Sequence, residues 1–262
     1  MQYIELKQSS RTFQLMDNLS SLLEICKKAA VESGEFLKRN FYKNQVASYD
    51  KGRDIKLSID LEAEDVILSI IKENSNLPIL SEESGVNKDL GDTYWIVDPL
   101  DGSSNYFRKI EVCAVSIALM HQDKPVLGVI NDFMNNHLYY ASKNEGAFCN
   151  RKSIIVSNTK ELRRGTIMTG IPAKSDYSDA EFKSMIKLFQ KWKKVRMIGS
   201  AAIANMYVAT GKADCYKENG TFIWDIAAGA IIVEEAGGKV YISKIKEDFR
   251  VDALFTNGFI GD

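Results

Sequence analysis

The sequence predicts an α+β protein built from two closely packed subdomains. Apolar residues recur at helical spacing near the start of the chain, and short runs of β-favouring residues fill the middle. After residue 157, strand-like and helix-like segments alternate. With 262 residues, 45% of them hydrophobic, the chain can bury a large core. We expect an N-terminal α+β subdomain over residues 1–155 and a C-terminal α/β subdomain over residues 156–262.

Two amphipathic helices are predicted at the start of the first subdomain. The first covers residues 17–41, where Asp17 or Asn18 is available as the N-terminal cap. The polar stretch 49–54 predicts a mobile loop. Asp60 is expected to open the second helix, whose apolar residues share one face.

Short apolar runs rich in β-favouring residues predict five strands in the rest of this subdomain. They cover residues 78–80, 94–97, 112–120, 125–132 and 137–141. The last three are joined by turn-rich segments, which indicates an antiparallel meander. The first two are each followed directly by acidic residues, so carboxylates are expected at the ends of strands.

The second subdomain is predicted to alternate strands and helices. Strands are expected at 166–169, 195–198 and 213–216, and helices at 179–192, 201–210 and 224–236. The last helix stops at two consecutive glycines, a common C-terminal signal. The boundary between the subdomains is expected near residues 150–160, and a site between them is a reasonable expectation.

Charge and composition limit the classes of partner. The net charge of -1 gives no sign of a basic face, so nucleic acid is an unlikely partner. No apolar run approaches the roughly 20 residues needed to cross a bilayer, so no membrane association is expected. The four cysteines, at positions 26, 113, 149 and 215, form no CxxC pair. We therefore expect reduced thiols in a cytoplasmic protein.

The clearest chemical signal is segment 98–104, DPLDGSS, which follows a predicted strand. It places Asp98 and Asp101 three residues apart, with Pro99 restricting the backbone and Gly102 permitting a sharp turn. Fixed carboxylates together with phosphate oxygens suit the oxygen coordination that Mg²⁺ prefers. The free N–H groups of a helix starting after Gly102 could hold that phosphate. Taken alone, the segment could equally be an ordinary turn.

Three motifs, in this order, resemble the inositol monophosphatase family of metal-dependent, lithium-sensitive phosphatases. They are LSEES at 80–84, WIVDPLDGSSN at 95–105, and WDIAAG at 224–229 with EAGG at 235–238. The resemblance runs from about residue 20 to the C-terminus. The family also includes fructose-1,6-bisphosphatases and phosphoadenosine-phosphate phosphatases. It implies a layered α/β/α/β/α sandwich of the sugar-phosphatase type.

The resemblance also implies the metal ligands. They are the carboxylates of Glu82, Asp98, Asp101 and Asp225, together with the backbone carbonyl of Leu100. The implied cofactor is Mg²⁺. Without the family, the acids at 82 and 83 would be read as solvated residues at a strand end.

Catalytic roles are implied for Glu82, Ser103 and Asp60. Glu82 and the Ser103 hydroxyl would orient the attacking water, although the family commonly has threonine where this chain has Ser103. Asp60 matches a family acid near the metal site, and a plain helix cap is an equally good interpretation of this residue. No covalent phosphoenzyme is required.

The implied substrate contacts come from both subdomains. They are Asp101, Gly102, Ser103, Ser104, Gly199, Ser200, Ala201 and Glu218. Glu218 suits a polyhydroxylated substrate better than an adenosine bisphosphate, because a carboxylate accepts hydrogen bonds from ring hydroxyls. By itself, Glu218 would be an exposed glutamate in a turn.

The predicted function is Mg²⁺-dependent hydrolysis of a small phosphorylated polyol or sugar, most simply an inositol-1-phosphate. Fructose-1,6-bisphosphate stays an alternative, since SSN at 103–105 is similar to the fructose-bisphosphatase version of the motif. Phosphoadenosine phosphate is a third substrate. A different class is an interaction protein, because some bacterial relatives act in transcription complexes. The resemblance further implies a homodimer and inhibition by lithium.

Overall fold

The computed structural model describes residues 18–45, 47–51, 54–171 and 178–260. Its α-helices are α1 Leu19–Asn40, α2 Ser58–Asn74, α3 Ser103–Phe107, α4 Asp179–Phe189, α5 Ala201–Ala209 and α6 Ile223–Glu235. The strands of the first half are β1 Ala47–Lys51, β2 Asp54–Leu57, β3 Ile79–Ser81, β4 Gly85–Val86, β5 Thr93–Asp101, β6 Ala114–His121, β7 Lys124–Asp132, β8 His137–Ser142, β9 Ala147–Cys149 and β10 Lys152–Ser153. The remaining strands are β11 Thr166–Thr169, β12 Lys194–Arg196, β13 Cys215–Phe222, β14 Lys239–Ile242 and β15 Arg250–Thr256.

Two large sheets organise these elements. The first has eight strands in the order β10-β9-β8-β7-β6-β5-β3-β4, and the second has five in the order β12-β11-β13-β15-β14. Strands β5 to β10 form a continuous antiparallel meander, which includes the predicted meander of β6 to β8, and β3 lies parallel to β5. In the second sheet β11 is parallel to both of its neighbours, while β15 is antiparallel to β13 and β14.

Helices and sheets alternate in layers. Helices α1 and α2 pack on the eight-stranded sheet, and α6 packs on β5 to β9. Helix α6 also contacts β13, β14 and β15, so it lies between the two sheets with α5 beside it. Helix α4 and strands β11 and β13 line a common cavity. The predicted α+β layered fold is confirmed.

The eight-stranded sheet is buried on both faces. In β5, Trp95 and Val97 belong to the core formed with α1 and α2, whereas Tyr94 and Ile96 belong to the core formed with α6. A strand buried on both faces reads as a continuous apolar run, which is why this segment was recognisable as a strand. Full burial of a large apolar side chain such as Trp95 contributes about 1.5–3 kcal/mol.

Close contact between α6 and the first sheet depends on small residues. A Cβ atom added at Gly128 of β7 would lie 2.8 Å from the Cα atom of Ala228. The helix backbone therefore rests almost directly on the strand, and the alanines of α6 leave room for this approach. We infer that the spacing between the helix and the sheet is fixed by these small residues.

The prediction of a mobile loop at 49–54 is wrong for residues 49–51 and 54, which lie in strands. Strands β1 and β2 form an antiparallel ribbon in which Tyr49 pairs with Lys56 and Asp50 pairs with Ile55. Residues 52 and 53 lie outside the described ranges. Strand pairing satisfies backbone N–H and C=O groups whatever the side chains are, so a polar sequence without apolar alternation can still form strands.

Several element boundaries also differ from the prediction. Helix α1 begins at Leu19, and the side chain of Asn18 makes no capping hydrogen bond; Asp17 lies outside the described residues. Helix α2 begins at Ser58, so Asp60 is its third residue and not its first. Five strands, β4, β9, β10, β14 and β15, were not predicted. The first four are only two to four residues long, and pairing with a neighbour defines them. Strand β15 does carry a signal that was missed, since its buried apolar residues alternate at positions 251, 253 and 255.

The eight-stranded sheet ends at Ser153 and the five-stranded sheet begins at Thr166. Helix α6 belongs to the second half of the chain but packs on the first sheet, so the two halves are not separate in space. The division into two subdomains after residue 155 stays a prediction. The four cysteines form no disulfide. Within the described residues, no helix combines the length and the apolar character required to cross a bilayer.

Candidate functional site

Glu82 follows β3 directly and is held beside β5. Its backbone N–H donates to the carbonyl oxygen of Val97 at 3.1 Å, and Ser81 is the register partner of Val97 in the parallel pairing. This pairing brings Glu82 next to Asp98, since Asp98 follows Val97. The Glu82 carboxyl is close enough to hydrogen-bond with Asp98 and to raise its pKa.

Asp98 lies within β5 and not at its end, so the predicted position at a strand end needs correction. Asp98 pairs with Ser116 and Asp101 pairs with Ala114, with an irregular register between them. This irregularity accommodates Pro99, which has no N–H to give to a regular ladder. Asp98 is 1% exposed, and its Oδ1 accepts the N–H of Leu100 at 3.0 Å.

Asp101 joins the first sheet to helix α5. Its carboxylate accepts the Ser200 hydroxyl, the Ala202 N–H at 2.8 Å and the Ala201 N–H at 3.2 Å. The carboxylate thus lies at the N-terminus of α5, where negative charge is favourable. The two segments predicted to form the site, around Asp101 and around 199–201, do meet in the structure.

Gly102 makes the sharp turn between Asp101 and α3. Its φ is 92°, and a Cβ atom here would lie 2.9 Å from the carbonyl oxygen of Val112 and 3.2 Å from that of Gly199. The nearby Asn105 amide donates to the carbonyl oxygens of Val112 and Ile198, at 2.8 Å each. Asn105 therefore ties the turn to the segment that leads into α5.

Asp225 enters the site from the N-terminus of α6. Its Oδ2 accepts the Thr221 hydroxyl at 2.7 Å and the Phe222 N–H at 3.0 Å. Its charge raises the pKa of both Asp98 and Asp101, so the three carboxyls are close enough to interact electrostatically. The three predicted segments therefore converge.

Electrostatics favour a cation at this point. Burial, followed by repulsion from Glu82, Asp101 and Asp225, raises the pKa of Asp98 well above its ordinary value. Burial and Asp225 raise the pKa of Asp101 to about 7, and burial raises the pKa of Asp225 to about 6. Ionised carboxylates in a buried setting need a compensating positive charge. The set of hard oxygen donors fits Mg²⁺.

The carboxylates are not already arranged around a coordination centre. Among the described residues, no group of three His, Cys, Asp or Glu side chains has positions that could hold a metal ion. Asp101 and Asp225 point towards hydroxyl and N–H donors instead. Such donors partly offset mutual repulsion, so metal binding would require these side chains to exchange partners.

Ser103 and Asp60 lie close to the same loop. The Ser103 hydroxyl is 2.9 Å from the Leu100 carbonyl oxygen and 3.4 Å from Asp60 Oδ1. A hydroxyl carries one proton, and the shorter distance favours donation to Leu100. Asp60 Oδ2 also accepts the N–H of Leu57 at 2.7 Å, as a helix cap does. Asp60 therefore caps α2 and also lies next to Ser103.

Glu218 is not in an exposed turn. It lies half-buried in β13, which continues to Phe222 beyond the predicted strand end. The Tyr216 hydroxyl donates to its carboxylate at 3.0 Å. Burial and the charge of Asp225 raise the pKa of Glu218 to about 8. A cavity of about 90 Å³ lies next to it, lined by β11, β13 and α4.

Glu64 is a residue that the sequence interpretation missed. It is 2% exposed, and one oxygen of its carboxylate accepts the Ser81 hydroxyl and the N–H groups of Glu83 and Ser84, the latter two at 3.2 Å. The available signal was its position four residues after Asp60, on the buried face of α2.

A larger groove lies away from these residues. It has a volume of about 530 Å³ and is lined by α1 and by residues such as Leu138, Tyr140 and Arg151. It contains none of the predicted site residues. Functional sites are marked by clusters of ionisable groups with shifted pKa values more than by the volume of a groove, so the carboxylate cluster is the better candidate site.

The carboxyl pKa values predict how stability depends on pH without divalent cations. A carboxyl whose pKa is higher in the folded than in the unfolded state favours folding at low pH, and this contribution is lost as pH rises from about 4 to about 7. We expect the free energy of unfolding to fall by roughly 1–3 kcal/mol over this range. Urea unfolding in EDTA should show a smaller fall for Asp101→Asn. A steeper fall in that variant would contradict the prediction.

Comparison with known proteins supports one family. The profile of the inositol monophosphatase family matches residues 18–253. The protein named Nus factor SuhB from Xylella fastidiosa is 37% identical over 234 residues, which make up 88% of this chain and 85% of the relative. The inositol monophosphatase of Mesembryanthemum crystallinum is 33% identical over 231 residues, or 85% of this chain and 86% of the relative.

A solved structure extends this similarity to three dimensions. Inositol monophosphatase from Anabaena superposes with a TM-score of 0.81 at 33% identity, and 92% of each chain is covered. A family profile that matches most of the chain, relatives above 30% identity and the same layered fold agree with one another. The chain belongs to the inositol monophosphatase family.

Proposed function

We propose that this protein is a Mg²⁺-dependent phosphomonoesterase that hydrolyses a small phosphorylated polyol or sugar. The observation that carries the proposal is the convergence of four acidic residues from three segments of the chain, namely Glu82, Asp98, Asp101 and Asp225. Membership of a family with phosphatase members supports it.

The four carboxylates and the Leu100 carbonyl are the proposed ligands of Mg²⁺. When bound, the ion supplies positive charge that offsets the phosphate oxygens and makes water a better nucleophile. Asp98 is rigidly held because its Oδ1 already accepts the Leu100 N–H. Asp101 and Asp225 are placed by the first turns of α5 and α6, so both sheets contribute to the site.

Glu82 and Ser103 are the proposed groups that orient the attacking water. Glu82 accepts the proton of that water, and the Ser103 hydroxyl turns from the Leu100 carbonyl to fix its position. Asp60 supports Ser103 from α2. Ser103 lacks the methyl group of threonine, so its χ1 angle is less restricted. We expect the protein to be active with serine at this position.

The proposed substrate contacts lie beside the proposed metal ligands. The proposed phosphate contacts are Asp101 and the turn Gly102, Ser103 and Ser104, and the proposed ring contacts are Gly199, Ser200, Ala201 and Glu218. Glu218 lies in β13 at a distance from which its charge interacts with Asp101 and Asp225. A carboxyl here can exchange hydrogen bonds with substrate hydroxyls.

Replacing Glu218 with alanine should raise the KM for inositol-1-phosphate about tenfold, with a smaller change in kcat. The loss of one or two hydrogen bonds to the Glu218 carboxyl costs about 1.5 kcal/mol. The KM for phosphoadenosine phosphate should change much less, because no polyol ring reaches position 218. Steady-state kinetics on both substrates tests this, and an equal rise in both KM values would count against the assigned contact.

Phosphate release tests the function itself. The substrates are inositol-1-phosphate, fructose-1,6-bisphosphate and phosphoadenosine phosphate, each with and without Mg²⁺, and Asp98→Asn is the low-activity control. Mg²⁺-dependent turnover that is largely lost in the variant supports the proposal and ranks the substrates. Absence of turnover on all three would overturn it. Lithium inhibition and a homodimer belong to the same proposal.

A role as an interaction protein is the second candidate. The observation that favours it is the name Nus factor SuhB carried by several relatives, among them the one from Xylella fastidiosa. Retention of all four acidic residues argues against a purely non-catalytic role. Binding of purified RNA polymerase by the Asp98→Asn protein would support this candidate, because that binding would not depend on hydrolysis.

A further inference from the structure

Helix α2 presents two buried carboxylates one turn apart. Asp60 is 2% exposed and lies near Ser103, and Glu64 is 2% exposed and lies against the segment 81–84. Residues four apart on a helix share a face, so the same rigid element contacts both loops of the candidate site. Asp60 already has a proposed role, whereas Glu64 has none.

Glu64 contacts both chain neighbours of Glu82. One carboxylate oxygen accepts the Ser81 hydroxyl, the Glu83 N–H and the Ser84 N–H, the last two at 3.2 Å. Glu82 itself donates its backbone N–H to Val97 at 3.1 Å. The backbone of Glu82 is thus fixed by β5 on one side, and its flanking residues are fixed by α2 on the other.

We propose that Glu64 is a positioning residue that sets the location of the Glu82 carboxylate relative to Asp98, Asp101 and Asp225. This inference rests on the proposed function, since it assigns Glu64 a purpose at the proposed metal site. A residue that orients a metal ligand through hydrogen bonds characteristically affects metal affinity by about 10- to 100-fold.

A charged group suits this task better than a neutral one. Hydrogen bonds to an ionised carboxylate are shorter and about twice as strong as bonds between neutral groups. Three donors gathered on one oxygen hold the turn after β3 in a single arrangement. Because Glu64 is on the second turn of a 17-residue helix, the restraint is anchored to a rigid element and not to another loop.

A purely structural role is the competing explanation, and the chain offers a matched control. Glu235 also uses its carboxylate to hold a turn, accepting the N–H groups of Asn144 at 2.9 Å and Gly146 at 2.8 Å. Neither Asn144 nor Gly146 is adjacent in the chain to a proposed ligand. Variants of Glu235 therefore report the cost of losing a turn-holding carboxylate without disturbing Glu82.

The experiment compares Glu64→Gln and Glu64→Ala with Glu235→Gln and Glu235→Ala. Mg²⁺ binding is measured by calorimetry, and kcat is measured as a function of Mg²⁺ concentration. We expect the Glu64 variants to bind Mg²⁺ about 10- to 100-fold more weakly, with kcat largely restored at saturating Mg²⁺. The Glu235 variants should bind Mg²⁺ as the wild type does, even where their melting temperatures fall.

The outcomes separate this inference from the proposed function. A wild type that binds Mg²⁺ and hydrolyses substrate, with Glu64 variants of unchanged Mg²⁺ affinity, overturns the role of Glu64 alone. A wild type that neither binds Mg²⁺ nor turns over substrate overturns the proposed function and this inference with it. If the Glu64 variants do not fold, Ser81→Ala removes one of the three donors and should still weaken Mg²⁺ binding; an unchanged affinity would overturn the inference.

Discussion

Replacing Asp98 with asparagine is expected to lower Mg²⁺-dependent turnover about 100- to 1,000-fold and, at pH 8, to stabilise the Mg²⁺-free protein. The first effect follows from the loss of a proposed ligand, since electrostatic contributions of this kind are worth several kcal/mol in the transition state. The second follows because Asp98 is 1% exposed and is repelled by Glu82, Asp101 and Asp225.

The variant should lose turnover and gain stability, a combination that general damage to the fold would not produce. Asp214 is a suitable control, because it is a buried acid that accepts the Ser157 hydroxyl and the Thr166 N–H away from the proposed ligands. Asp214→Asn should lower stability and leave kcat per folded molecule nearly unchanged. Kinetics and thermal melts in EDTA measure both quantities. A destabilised, active Asp98→Asn protein would contradict the prediction.

Replacing Gly102 with alanine is expected to cost about 2–4 kcal/mol of stability and to reduce turnover about 10- to 100-fold. The φ of 92° is unfavourable for alanine, and the added Cβ atom would lie 2.9 Å from the Val112 carbonyl oxygen. Relief of that contact would move the turn that follows Asp101. Displacement of a positioned group by about 1 Å is sufficient to lose about 100-fold in rate.

Gly85 separates backbone strain from steric contact. Its φ of 72° is also positive, but a Cβ atom there would have nothing within 4 Å. Gly85→Ala should therefore cost only about 1–2 kcal/mol, the cost of the left-handed conformation itself. Urea unfolding compares the two variants. Equal losses of stability would show that crowding around Gly102 contributes nothing.

The elements that could be predicted are those whose sequence carries a local pattern. Helix α1 has apolar residues at helical spacing, and β5 to β8 have apolar runs long enough to identify strands. The acidic segment at 98–104 combines two carboxylates with Pro99 and Gly102, which is a local signal as well. These patterns predicted an α+β fold and the acidic segment at 98–104. The layered arrangement and the roles of Glu82 and Asp225 were predicted from the resemblance to the inositol monophosphatase family.

The features that could not be predicted depend on residues far apart in the sequence. The β1–β2 ribbon is defined by the pairing of its two strands, and pairing leaves little trace in a polar sequence. Glu218 lies in β13, which pairs with β11 on one side and β15 on the other, and its partial burial depends on these strands that are distant in the sequence. Glu64 accepts hydrogen bonds from three donors that lie 17 to 20 residues further along the chain, so no local pattern in the sequence indicates its role.

The position of α6 has a consequence for synthesis of the chain. The eight-stranded sheet is complete at Ser153, but the helix that covers one of its faces ends at Glu235. About 80 residues separate them, and at typical translation rates the ribosome takes roughly 4–16 s to add this length. During that interval, apolar side chains such as Ile96, Met120 and Ile130 lack the helix that covers them in the folded protein, so this face of the sheet is the part of the nascent chain most exposed to aggregation.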